Sequence, residues 1–106
     1  MSNPSHINRK ALSATEIVTQ LSKLNGEHAL GWRLIDNALE KTYTFKNYHE
    51  TIGFVNALAY IANFENHHPD LSVSYSKCTA RFNTHDVNGI SVSDFFCASK
   101  ADALLV

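Results

Sequence analysis

A chain of 106 residues has room for one domain and one core, because natural domains cluster at about 100 to 150 residues; a two-domain enzyme is excluded. With 44% hydrophobic and 18% charged residues, it carries enough apolar material to bury a core without disulfides or metal. A formal net charge of −1 leaves no broad basic field for phosphates or anionic lipid, which argues against nucleic acid or a membrane as direct partner.

The opening stretch from Met1 to Lys10 is polar, contains Pro4 and lacks the apolar run of a secretory signal, so residues 1–10 are expected to form a flexible tail ahead of a single domain at 11–106. Ser13 with Glu16 three residues later forms a capping-box pattern, and Ile17, Leu21 and Leu24 then share one helical face before Gly26. Leu30, Trp32 and Leu34 alternate with small or polar neighbours. Asp36 and Asn37 supply turn chemistry, and Leu39, Tyr43 and Phe45 resume a period of two, which predicts a β-hairpin. Asn47 is placed to cap a second helix with Glu50 at its third position. Thr51, Phe54, Val55, Leu58, Ile61 and Ala62 continue it to about His67 and His68, where Pro69 forces an extended residue before it.

Leu71, Val73 and Tyr75 alternate with serines as in a strand with one buried face, and the return strand sets Cys78, Ala80 and Phe82 against Thr79, Arg81, Asn83 and His85. Tyr75 and the phenylalanines are assigned to the core by default. Asn88-Gly89 turns the chain, and Ser91 with Asp94 repeats the capping-box pattern ahead of Phe95, Ala98, Ala101 and Leu105. The order αββαββα predicts an α+β two-layer domain, a four-stranded antiparallel sheet with three helices on one face. No run approaches the roughly 18 apolar residues of a membrane span. Cys78 and Cys97 fit neither a metal pattern nor a disulfide framework, which points to reduced thiols and a cytoplasmic location.

Three of the six histidines fall where elements end: His67 and His68 beside Pro69, and His85 before a turn. Functional side chains are commonly mounted at such ends, on a fixed backbone but in reach of a ligand. The hairpin after Pro69 reverses direction, so it carries His85 back towards the pair. Imidazoles titrating near 6.5 suit acid–base work, and neighbouring rings resist simultaneous protonation, which separates an acid from a base. Two other readings stay open from residue types alone: solvated or merely hydrogen-bonded histidines, the class to which His6, His28 and His49 are assigned, and a three-histidine zinc site. Trp32 reads first as packing.

The pattern His67-His68-Pro69, with five residues to Tyr75, nine to His85 and eight to Asp94, closely resembles the pterin-4a-carbinolamine dehydratase family. Gly31-Trp32, Tyr43-Thr44-Phe45-Lys46, Gly53-Phe54, Thr84-His85 and Asn88-Gly89-Ile90 extend the likeness over nearly all of residues 11–105. The resemblance implies a lyase that dehydrates 4a-hydroxytetrahydrobiopterin to quinonoid dihydrobiopterin without cofactor or metal, linked to an aromatic amino acid hydroxylase in tetrahydropterin recycling. It further implies His67, His68 and His85 as catalytic residues, with His68 the proton donor to the leaving hydroxyl. Asn66, Asn83, Thr84, Asp86 and Trp32 join them in binding substrate, and Asp94 and Pro69 give support. Family members assemble as dimers or tetramers, so a homo-oligomer is expected. The alternative is a dimerisation or coactivator-type binding module with vestigial activity, since animal members also partner a homeodomain transcription factor. The family carries an ionisable residue four places before the first histidine, where this chain has Asn63 with Glu65 nearby, and animal members carry an arginine where this chain has Ser93.

Overall fold

The computed structural model describes residues 9–26 and 31–105; the expected tail, apart from Arg9 and Lys10, lies outside the described residues, as does Leu30. The elements are α1 (Ala14–Asn25), β1 (Arg33–Ile35), β2 (Ala38–Thr44), α2 (Tyr48–Glu65), β3 (Asp70–Val73), β4 (Lys77–Phe82), a single 3-10 turn (His85–Val87) and α3 (Val92–Ala103). The strands form one antiparallel sheet in the order β1-β2-β4-β3, so the αββαββα expectation holds.

The register explains the two layers. Leu39 opposes Phe82, Lys41 opposes Ala80 and Tyr43 opposes Cys78, which puts these residues on one face of the pleat. That face meets the helices through Phe54, Leu58, Phe95, Ala98 and Ala101. Glu40, Thr42 and Thr44 with Arg81, Thr79 and Lys77 form the opposite face, where the Thr42 and Thr79 hydroxyls lie 2.7 Å apart. Lys41 interrupts the apolar row and is satisfied by Asp102 of α3 at 2.8 Å, which also accepts from Tyr43 Oη at 2.6 Å.

The caps follow the sequence. Ser13 and Glu16 form the reciprocal capping box of α1, and Asn47 Oδ1 accepts from Glu50 N at 2.9 Å at the start of α2. Asp36 and Asn37 both take positive φ, 48° and 63°, the turn whose twist suits a two-residue hairpin. The Asn25 carboxamide docks the end of α1 onto the sheet by accepting from Trp32 N at 2.6 Å and donating to Trp32 O at 2.8 Å. A Cβ on Gly31 would collide with Asn25 Oδ1, so any larger residue there must displace the carboxamide from Trp32.

The second helix ends at Glu65, close to His67 as expected, because Asn66 takes the left-handed conformation (φ 54°) that asparagine tolerates and closes the helix three residues before Pro69. Two expectations are corrected. The strand predicted through Tyr75 stops at Val73; β3 pairs only with β4 and is a sheet edge, and Tyr75, in the following turn, is 65% exposed and stacks on Tyr48. Not every phenylalanine is core: Phe54, Leu58, Ala62 and Glu65 make the buried stripe of α2, and Phe64 lies off it at 71% exposure. Among the described residues no helix is long and apolar enough to cross a membrane.

Candidate active site

The end of α2 builds the first half of the site. Asn66 N–H donates to Asn63 O at 3.2 Å and His67 N–H to Ala62 O at 3.0 Å, which satisfies the last helical carbonyls and fixes the turn leading to Pro69. The two adjacent histidines then enter different surroundings. His67 is 7% exposed, its ring nearly parallel to that of Phe82 with centroids 6.3 Å apart, and Nε2 lies 2.5 Å from Asp94 Oδ1. His68 is exposed, with Nε2 2.9 Å from Asn63 Oδ1. Both oxygens are acceptors, so both Nε2 atoms carry a proton in these pairings, and Nδ1 is the nitrogen left over, a lone pair on a neutral ring and a second N–H on an imidazolium.

The start of α3 builds the second half. Asp94 is 0% exposed and sits in the first turn of α3, where a carboxylate meets the positive end of the helix. Its Oδ2 accepts from Ser91 N at 2.9 Å and from the Thr84 hydroxyl at 2.7 Å, and Ser91 Oγ lies 2.7 Å from Thr84 Oγ1. With Oδ1 facing His67, the buried carboxylate has three partners, the condition under which a buried charge is tolerated. The same aspartate therefore favours the helix terminus and supports a histidine.

Between the turn after α2 and the turn after β4, which Asp94 and Ser91 support from behind through His67 and Thr84, lies an open cleft of about 350 Å³. Of the expected site residues, Asn66, His67, His68, Pro69, Asn83, Thr84, His85 and Asp86 line it, so the three histidines share one cavity. His85 begins the 3-10 turn rather than lying on a strand, and its exposed ring is available to a ligand. Trp32 is a correction: it is 1% exposed, packs against Tyr43 and Phe82, donates Nε1–H to Asp102 at 3.1 Å and does not line the cleft. Its indole is held by the core because the only polar atom on it has a partner there.

Arg9 and Asp70 also line the cleft and escaped sequence reasoning. Asp70 follows Pro69 directly and was within reach of the motif; nothing local marks Arg9, whose Nη2 donates to Glu65 O and Asn66 O across more than fifty residues of sequence. The departures are placed too: Asn63 faces His68, and among the described residues Glu65 is buried without a histidine partner and Ser93 Oγ is buried without a hydrogen-bond partner. Among the described residues no group of three or more His, Cys, Asp or Glu is arranged to hold a metal ion. The thiols lie outside the cleft: burial pushes Cys97 up to about 12, with the charges of Glu65 and Asp94 adding to it, and raises Cys78 as well.

This geometry can place acid and base nitrogens around one small heterocycle, and known proteins share its frame. The family model for pterin 4 alpha carbinolamine dehydratase matches residues 10–104. A relative from Paracidovorax citrulli, provisionally named a pterin-4-alpha-carbinolamine dehydratase, is 57% identical over 92% of this chain and 83% of its own length. One from Legionella pneumophila (strain Corby) with the same provisional name is 45% identical over 91% and 83%. The crystal structure of a transcriptional coactivator/pterin dehydratase from Brucella melitensis superposes with a TM-score of 0.82 at 27% identity, covering 90% of this chain and 98% of that one. A pterin dehydratase-like protein described as a RuBisCO assembly factor of the alpha-carboxysome shares the fold at a TM-score of 0.60 and 20% identity. On the match across almost its whole length, the chain belongs to the pterin 4 alpha carbinolamine dehydratase family and, with it, to the hydro-lyases.

Proposed function

We infer that the cleft binds a 4a-hydroxytetrahydropterin, with 4a-hydroxytetrahydrobiopterin as the expected substrate, and removes water from it by histidine acid–base catalysis. The observation that carries this reading is the convergence of His67, His68 and His85 on one cleft of about 350 Å³, at the lower end of small-molecule sites and suited to a bicyclic heterocycle. The reaction breaks the C4a–O bond while the N5 lone pair forms the new carbon–nitrogen double bond. The N5 proton leaves to a base and a second proton joins the departing hydroxyl, so the products are quinonoid dihydropterin and water. Neither step changes the oxidation level of the atoms as a set, and the residues supply both protonation states.

In this reading His67 is the base: its Nε2–H is committed to Asp94, which leaves Nδ1 as the accepting nitrogen. His68, exposed on the cleft wall, is the proton donor to the hydroxyl through Nδ1–H of its charged form, and His85 orients and polarises that group. Asn66, Asn83 and Asp86 offer amide and carboxylate groups to the pterin edge. Thr84, whose hydroxyl is taken by Asp94 and Ser91, contributes wall and support rather than a free donor. The physiological setting that fits is a cytoplasmic one, serving an aromatic amino acid hydroxylase in tetrahydropterin recycling.

The deciding experiment follows the carbinolamine released by such a hydroxylase with and without the purified chain. The reading requires decay well above the spontaneous rate, and equal rates would refute it. A binding role beside catalysis is the second reading, favoured by exposed Tyr60 and Phe64 on α2 and by the coactivator name of the Brucella relative. That surface also suits the expected homo-oligomer, for which light scattering after gel filtration is the direct measurement.

A further inference from the structure

The segment ahead of α1 touches both turns that carry the histidines. Arg9 Nη2 donates to Glu65 O at 3.1 Å and to Asn66 O at 2.6 Å. Ala11 Cβ lies 3.9 Å from the place where a Cβ on Gly89 would sit, and Leu12 N–H donates to Ile90 O at 2.8 Å. Four residues therefore tie the end of α2, which leads into His67 and His68, to the far side of the loop that carries His85.

The Arg9 contact is electrostatically favourable, because the last carbonyls of a helix lack intrahelical partners and carry the negative end of its dipole. It acts at the left-handed Asn66, the residue whose conformation sets the direction of the chain into His67. Arg9 Nε is buried without a partner among the described residues. Arg9 also lines the cleft itself.

We propose that Arg9 is a positioning residue for the dehydration: its guanidinium holds the 65–66 carbonyls so that the His67-His68 turn and the His85 turn keep the separation one pterin requires. The inference rests on the dehydratase reading above. Its leverage is geometric, since a displacement of about 1 Å between reacting groups costs on the order of 10²-fold in rate.

The test uses the full chain with Arg9→Ala, Arg9→Lys and, as a control away from the cleft, Ser13→Ala, which removes the capping box of α1. For each, kcat and KM for carbinolamine dehydration are measured well below its Tm, together with the imidazole ¹⁵N spectra of His67 and His68. Arg9→Ala is expected to fold and to lose roughly 10- to 100-fold in kcat, with altered imidazole resonances. Arg9→Lys is expected to regain much of the rate, because one ammonium can donate to both carbonyls as Nη2 does. Ser13→Ala is expected to lower Tm and leave kcat unchanged. The inference is overturned if Arg9→Ala keeps kcat within about two-fold of wild type, if Arg9→Lys restores nothing, or if the imidazole spectra of Arg9→Ala match wild type. A wild-type chain that fails to accelerate dehydration refutes the dehydratase reading instead; the spectra of Arg9→Ala then still decide whether Arg9 positions the histidines.

Discussion

Replacing Asp94 by asparagine changes one buried oxygen into an amide nitrogen at nearly constant volume, and the consequence for His67 follows from the hydrogen-bond pattern. Oδ2 accepts from Ser91 N–H and the Thr84 hydroxyl, two donors that cannot both tolerate an amide nitrogen. The asparagine therefore turns its oxygen to them and its NH₂ to His67 Nε2, which must become an acceptor, so the ring proton moves to Nδ1. The proposed base is then protonated at the nitrogen that should receive the proton. We expect kcat to fall roughly 10²- to 10⁴-fold, the range for loss of a positioned acid or base. Stability should fall less dramatically, by about 1–3 kcal/mol, as charge-assisted bonds become neutral ones, or roughly 4–8 °C of Tm per kcal/mol for a domain of this size. Long-range proton–nitrogen correlation spectra read the tautomer directly, beside turnover and thermal melts. An Asp94→Asn protein with wild-type kcat, or with the His67 proton still on Nε2, would refute the reasoning.

Other perturbations separate the site from the core. His68→Ala is expected to lower turnover by roughly 10²- to 10⁴-fold with little change in Tm, since the ring is exposed and, among the described residues, hydrogen-bonded only to Asn63; an unchanged rate removes it from the mechanism. Trp32→Phe loses the indole donor to Asp102 and part of a filled volume, so melts should show a loss of about 1–3 kcal/mol while kcat stays within about two-fold. Cys78 and Cys97 should resist a thiol reagent at pH 8 in the native protein and react once it is unfolded, as a timed titration would show. Because the folded pKa of Cys97 is raised to about 12 from 9.0, its contribution to stability is fully present below about pH 9 and is lost as pH rises towards 12, which denaturant midpoints across that range would register.

The fold was readable where short-range chemistry decides it. Ser13-Glu16, Asn47-Glu50 and Asp36-Asn37 each determine a cap or turn within four residues, and each appears where the pattern puts it. The helix stop is legible only to within about two residues because two signals compete: Pro69 restricts only its predecessor, while Asn66 closes the helix outright by adopting a left-handed conformation that composition does not reveal. Tyr75 and Phe64 were misread for a different reason. Hydrophobicity reports what a residue would gain by burial, whereas exposure depends on whether a strand is an edge and which stripe of a helix meets the sheet. The lining of the cleft is legible as a set of residues through a family pattern, but its supports are not. The sequence suggests a role for Asp94 without showing that Thr84 and Ser91 complete it, and it offers no sign of Arg9 or its two long-range carbonyl partners.

That division has a physical origin in how the cleft is made. Its walls are places where regular structure stops, the left-handed end of α2 and the 3-10 turn after β4, and the first turn of α3 lies buried behind them, in contact with His67 and Thr84. Each stop leaves backbone donors or acceptors unmatched, and the groups that satisfy them are the groups that hold the histidines. Asp94 closes the N-terminus of α3 and orients His67; Arg9 covers the C-terminal carbonyls of α2 beside the same ring. In the proposed mechanism stability and function therefore draw on shared hydrogen bonds, and substitutions at Asp94 or Thr84 should lower Tm and kcat together. Trp32 and Gly31, which belong to the sheet-side packing alone, should lower only the first.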